Sequence, residues 1–359
     1  MAEARRSGRT DADPPQAAGC LGSVGVGVDP MPLGRFLGMA ASGAERLELV
    51  GEGGGAVVIE LAPDDEAPAA TATATATATA LVASLPLVVI GVGPPDAPGA
   101  DLVDLVVADP AAAAELLDAV ERHPIAATAL ALLLRAVERR TVPAGLVAES
   151  STYSLLQAGP EHRAWLAGRP PPPGPPEGPR PDPVLVDRRG DHLRITLNRP
   201  EVHNALDAAM REALLDALAV ASADPSVPVV IDGAGPSFCS GGDLAEFGSL
   251  RDPASAHLLR LGRSLGYAVH ALADRVTVEV HGYGVGSGLE LAAFAGCVTA
   301  TPDATLALPE LGMGLVPGAG GTVSVTRRIG RHRAAWLVLT GAELDAQQAL
   351  DWGLVDAIR

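Results

Sequence analysis

An α/β fold is predicted for this chain by three observations. Apolar residues alternate at a period of two in short runs, apolar stripes at helical spacing follow those runs, and one proline-dense stretch splits the chain into two parts. Residues 1–21 are polar, contain proline and lack periodicity, which predicts a disordered tail. Ala56–Leu61 and the continuously apolar Leu85–Val92 read as strands, the second as a buried one. Between them Thr71–Ala80 alternates Thr and Ala strictly, and its low complexity predicts a solvated loop. Asp109-Pro110 supplies a cap and a first-turn proline for a helix over about Ala111–Arg122. Further helices are expected over Ile125–Arg140 and Glu149–Gln157.

The segment 169–183 is dense in proline, which excludes regular helix and favours polyproline II. At roughly 3.1 Å per residue it is a semi-rigid linker able to span on the order of 40 Å. Beyond it, Leu193, Ile195 and Leu197 alternate with polar neighbours as a half-buried strand, and Asp207 caps a helix carrying Leu214, Leu215 and Leu218. Val227–Ile231 is a strand, Pro253–Ala273 a helix and Val276–Val280 a strand. A Gly-rich turn then leads into a helix near Gly288.

Length alone allows one large unit or two smaller ones. Hydrophobic residues make up 48% and charged ones 19%, as in a soluble globular protein with many loops. The formal charge is −17, and every cation among the 26 basic residues is Arg, because the chain contains no Lys. That field disfavours nucleic acid and anionic membranes as partners. A phosphate-bearing ligand would be held locally, by Arg side chains, backbone amides or helix N-termini. Cys20, Cys239 and Cys297 are too few and scattered for a disulfide framework or a structural zinc site, so a reducing compartment is expected. No apolar region follows Arg5-Arg6, and the longest apolar stretch, Ala80–Val92, is too short to span a bilayer and is broken by Pro86. A cytoplasmic protein is expected.

Four blocks after the linker carry the chemistry. They are Arg199-Pro200 with Asn204-Ala205-Leu206; Phe238-Cys-Ser-Gly-Gly-Asp-Leu244; His281-Gly-Tyr-Gly-Val-Gly-Ser-Gly-Leu-Glu-Leu291; and Leu308-Pro-Glu-Leu-Gly312 with Pro317-Gly-Ala-Gly-Gly321. In this order they resemble the crotonase superfamily of acyl-CoA enzymes, over about half the chain. The resemblance implies a crotonase-like spiral of ββα units, with an additional helical module. It implies an acyl-CoA substrate, and no cofactor or metal beyond the coenzyme A that the substrate itself carries. Enolate formation from a thioester puts negative charge on the carbonyl oxygen, so donors must be waiting for it. By resemblance these are the backbone amides of Gly242 and Ser287, the latter standing where relatives often have glycine.

Glu290 and Glu310 fall where hydratases of this family place paired catalytic carboxyls. Alone, Glu290 reads as a helix-start glutamate and Glu310 as a loop glutamate facing solvent. As a pair they can take a proton from water and deliver one to the α-carbon. By the same resemblance Asn204, Ala205, Leu206, Ser240 and Gly241 match positions lining the CoA pocket; the plainer alternative is a turn after a strand. Glu279 interrupts an apolar strand and is expected to pair with an Arg or meet water, while Cys239 and Cys297 read as small buried residues. The expected activity is reversible hydration of a 2-enoyl-CoA. The alternatives are a double-bond isomerase or other enolate-forming crotonase, and a non-catalytic scaffolding subunit. Family resemblance also implies a homo-oligomer, a trimer or hexamer.

Family members continue past the Gly353-Leu-Val-Asp356 signature into helices that cover the site, whereas this sequence ends at Arg359. Residues from about 101 to 168, including Gly145-Leu-Val-Ala-Glu-Ser150, resemble that missing region. The expectation is a helical module over about 101–168, relocated by permutation or by fusion with a truncated duplicate. Residues 22–100 would be a shortened crotonase-like remnant, 169–183 the linker and 184–359 the catalytic core.

Overall fold

The computed structural model describes residues 29–50, 55–61, 72–170, 181–249 and 252–359, with the side chains of 72–75 outside that description. The expected tail and residues 171–180 of the proline linker lie outside the described residues.

The N-terminal segment contains β1 (Met31–Pro32), α1 (Leu33–Ala41), α2 (Glu45–Val50), β2 (Ala56–Glu60), α3 (Ala72–Ala83), β3 (Val88–Val92) and β4 (Leu105–Val107). Its strands form a parallel sheet in the order β1-β2-β3-β4. All five residues of β3 are buried, as its apolar run predicts. The Thr/Ala run is helical, not the expected loop. Alanine is the best helix former, and tertiary packing of Ala78 and Val82, four residues apart and both buried, holds the helix despite the threonines.

Four helices follow: α4 (Pro110–Arg122), α5 (Pro124–Leu134), α6 (Val142–Gln157) and α7 (Pro160–Ala167). Asp109 caps α4 as expected, accepting from the Ala111 and Ala112 amides. Helix α5 stops at Leu134, short of the expected Arg140, and a separate 3-10 turn spans Val137–Arg139. Helix α6 begins earlier than expected, because Thr141 caps it and Pro143 fits its first turn. Arg135, just beyond α5, ties this layer to the sheet. It pairs with Asp104 at 2.6 Å and donates to the carbonyls of Val82, Leu85 and Leu87.

The second segment contains β5 (Val184–Arg189), β6 (His192–Leu197), α8 (Ala208–Ala223), β7 (Val229–Gly233), α9 (Pro253–Gly262), α10 (Leu265–Ala271), β8 (Val276–Val280), β9 (Tyr283–Val285), α11 (Ser287–Ala292), β10 (Cys297–Ala300), β11 (Thr305–Ala307), α12 (Gly321–Ile329), α13 (Arg331–Thr340), β12 (Glu343–Asp345), α14 (Ala346–Trp352) and β13 (Ala357–Ile358). The single helix expected over Pro253–Ala273 is two, because Ser264 caps a new start by accepting from the Tyr267 amide. A six-stranded sheet runs β13-β10-β8-β7-β6-β5, antiparallel only at the β5–β6 pair. Its register aligns Ile195, Ile231, Val278 and Val298 in one buried row. A smaller sheet, β12-β11-β9, sits beside it.

The two segments share one apolar core, in which Leu116, Leu130 and Leu146 join Leu289, Val323 and Leu337. Helices α4 and α5 pack on α13, while α6 packs on α9 and α12. A Cβ at Gly145 would stand 2.7 Å from Val323, so the absence of a side chain there sets how closely α6 approaches α12. The parallel sheet of the first segment adds its own smaller core around Phe36, Ile59 and Leu85. Glu279 meets Arg194 at 3.0 Å, and Arg194 also pairs with Asp232, which is the mundane role expected for it. Among the described residues no helix is long and apolar enough to cross a membrane.

Candidate active site

The site is assembled by loops at the ends of strands. Phe238–Asp243 runs alongside β9: Cys239 donates to the Tyr283 carbonyl at 2.8 Å, and Val285 donates back to Cys239 at 2.9 Å. The same loop is tied to Leu206, which donates to Gly241 and accepts from Asp243. Arg199 fastens both ends by pairing with Asp207 and Asp243. These ties bring Gly242 next to Ser287, so close that a Cβ on Gly242 would stand 3.7 Å from Ser287 Oγ. Ser287 opens α11, and among the described residues neither its amide nor that of Gly242 has a hydrogen-bond acceptor.

Gly286, between β9 and α11, has φ 51°, and a Cβ there would stand 2.8 Å from Glu310 Oε1. The left-handed backbone favours glycine at this position, and any side chain there would press on the Glu310 carboxyl. Glu310 follows Pro309 in a 3-10 turn over Glu310–Met313 and is 9% exposed, not the solvent-facing loop residue that it would be in isolation. Its Oε2 is buried without a hydrogen-bond partner.

Glu290 lies in α11 and is 1% exposed. Its Oε2 accepts from the amides of Ala319 and Gly321, both at 2.7 Å, at the N-terminal end of α12. A third bond, from the Ser324 hydroxyl, goes to its main-chain carbonyl. A third carboxyl joins them from the N-terminal segment. Glu149, on α6 and 1% exposed, accepts from the Gly320 amide at 2.7 Å, the Thr322 amide at 2.9 Å and the Thr322 hydroxyl at 2.6 Å.

No cation pairs with these three carboxyls among the described residues. Burial pushes Glu290 up to about 7, against the amide donors at α12. Burial, then the charge of Glu290, pushes Glu149 up to about 8. Glu310 is raised well above the usual carboxyl range by burial first, then by Glu290 and Glu149. Arg260 stands over the Tyr153 ring at 4.6 Å and donates to Ser150 and Gln157. Its charge is near the carboxyls without being bonded to one.

These groups line a cavity of about 440 Å³. Of the residues singled out in the sequence, Glu290, Glu310, Gly242, Ser287, Leu206, Ser240 and Gly241 line it. Asn204 and Ala205 do not. Asn204 is fully buried with φ 55°, accepts from the Arg199 amide and donates to the Ala234 and Ser237 carbonyls, so its side chain is spent on the loop. Sequence reasoning missed Glu149, Tyr153 and Arg260 as cavity residues. The run Gly145–Ser150 was legible as part of the relocated module, but its arrival beside a loop 171 residues away was not. Cys239 is buried beneath the loop, and burial pushes its thiol up to about 11, while Cys297 is partly buried. Among the described residues no group of three or more His, Cys, Asp or Glu side chains could hold a metal ion.

A strand-and-loop α/β scaffold that presents paired buried carboxyls beside two unspent amides defines a class of protein suited to carbonyl activation. The family model for enoyl-CoA hydratase/isomerase matches residues 190–359. The chain is 36% identical over 176 residues to 2,3-dehydroadipyl-CoA hydratase of Escherichia coli (strain K12), covering 49% of this chain and 68% of that protein. It is 35% identical over 181 residues to the mitochondrial enoyl-CoA hydratase of Pongo abelii, covering 49% and 61%. A solved enoyl-CoA hydratase from Thermoplasma volcanium GSS1 superposes with a TM-score of 0.47 at 36% identity, covering 50% of this chain and 72% of that one. The chain belongs to the enoyl-CoA hydratase/isomerase family of the crotonase superfamily. Each of these matches takes in about half of this chain.

Proposed function

We propose that this protein is an enoyl-CoA hydratase, adding water reversibly across the double bond of a 2-enoyl-CoA thioester. The observation that carries the reading is the convergence of Glu290 and Glu310 with the unspent Gly242 and Ser287 amides on one cavity. In this reading the thioester oxygen sits between the two amides, where negative charge develops. One such donor contributes about 3–4 kcal/mol to the transition state.

Glu290, whose Oε2 is steadied by two amide donors, is the base. Glu310, buried without a donor on Oε2, keeps its proton and is the acid. Glu290 takes a proton from water as the hydroxide oxygen bonds to C3, and the C2–C3 π pair moves toward the thioester oxygen. Collapse of that enolate takes the Glu310 proton onto C2. Water is thereby added, and proton exchange between the carboxyls and solvent resets the pair. No cofactor enters beyond the CoA of the substrate. Its phosphates, in a chain of charge −17, fall to local cations, and Arg211 and Arg263 line the same cavity.

The catalytic unit in this proposal includes the helical segment 101–168, which does for the core what the relatives' carboxy-terminal helices do, from the other end of the chain. The expected result with purified protein and a 2-enoyl-CoA in ¹⁸O-labelled water is a 3-hydroxyacyl-CoA carrying one labelled oxygen, read by mass spectrometry. Double-bond migration without label would make the protein an isomerase. Tight ester binding with neither reaction would make it a scaffold.

A further inference from the structure

We propose that Glu149 is a positioning residue for Glu290: the two carboxyls interleave along the four consecutive amides that open α12, so the N-terminal segment fixes how Glu290 is held. Ala319 and Gly321 donate to Glu290, while Gly320 and Thr322 donate to Glu149. The inference rests on the hydratase reading for its chemistry, but on geometry for its existence. A helix of nine residues directs its first amides along one end, and a single carboxyl there would normally collect several of them. Here every second amide is taken by a residue 141 positions earlier in the chain than Glu290. The Ala319 and Gly321 amides between them hold Glu290 Oε2.

The arrangement also joins the two residues electrically. The titratable and charged groups around Glu149 are Glu290 from α11, Glu310 from the turn after β11, Tyr153 on its own helix and Arg260 from α9. His257 of α9 is one hydrogen bond removed, on Ser150, and α12 presents the amides and hydroxyl already described. With none of the three carboxyls paired to a cation among the described residues, two of them cannot ionise independently, and their protons leave in steps that belong to the pair. Glu149 held neutral leaves the negative charge to Glu290. Once Glu149 ionises at higher pH, its charge makes the remaining acid, Glu310, harder to deprotonate.

Two measurements on the full chain test this. Infrared difference titration of the carboxyl stretch follows Glu149 in the wild type and in Glu290→Gln, and needs no turnover. Removing the negative neighbour should lower the Glu149 midpoint by about one pH unit. In Glu149→Gln, the alkaline limb of the hydration rate should move to lower pH by about one unit, with kcat down about tenfold and KM within about twofold. A purely structural tie between α6 and α12 would lower the rate at every pH and leave the limb in place. Should Glu149→Gln fail to fold, Thr322→Val takes its place, because losing one donor to Glu149 raises that residue's midpoint. An unmoved midpoint in Glu290→Gln, or an unmoved limb in Glu149→Gln, overturns the inference. A wild type that does not hydrate enoyl-CoA overturns the hydratase reading instead, and the infrared midpoint still decides the role of Glu149.

Discussion

Glu290→Gln and Glu310→Gln should each lower kcat for hydration by about 10³-fold, while the affinity for a saturated acyl-CoA changes by less than about threefold. The reason lies in what the amide side chain keeps and what it loses. Gln at 290 still accepts from the Ala319 and Gly321 amides, so α11 and α12 stay together, but it cannot take a proton from water. Gln at 310 fills the same buried volume with no proton to give. Among the described residues neither carboxyl makes a salt bridge, so the change orphans no buried cation there. The double variant should be little slower than either single one, because the two groups serve one reaction and their effects are not additive. Activity near wild type in both single variants, measured by loss of the conjugated thioester absorbance, would remove both residues from the mechanism.

Removal of residues 1–168 should cost at least about 10²-fold in activity and drive the remaining core into the insoluble fraction. Helices α4, α5 and α6 bury their apolar faces in the same core as α12 and α13, so deletion opens Val323, Leu337 and their neighbours to water. It also strips the cavity of the wall that carries Leu146, Glu149 and Tyr153, and leaves the Gly320 and Thr322 amides without their carboxyl. Adding residues 101–168 back as a separate chain should restore part of the soluble activity if the core and helices dock as two pieces. A truncated core that is soluble, assembled and as active as the full chain would show that the helices are an appendage.

The core was legible from its sequence because each of its signals is local. The alternation of Leu193, Ile195 and Leu197 became β6, Asp207 became a cap, and the Gly-rich turn before Gly288 became the entry to α11. Gly242 and Ser287 could be placed in one neighbourhood because the blocks around them resemble those of the crotonase superfamily, not because of any local signal of their own. The Thr/Ala run misled for an instructive reason. Its pattern imitates a loop or a strand, whereas the deciding facts are alanine's helix propensity and the burial of Ala78 and Val82, of which only the first is written in the sequence. Glu149 was illegible for a different one. A glutamate inside a helix resembles any solvated helix residue, and only the packing of α6 against α12, 171 residues apart at the contact, makes it a buried carboxyl in the site.

The most direct measurement is a crystal structure of the full chain with an unreactive saturated acyl-CoA. The thioester oxygen is expected within hydrogen-bond reach of both the Gly242 and Ser287 amides, with C2 and C3 of the acyl chain between Glu290 and Glu310. An ester bound with its carbonyl away from those amides, or with its acyl chain outside the cavity that the two glutamates line, would contradict it.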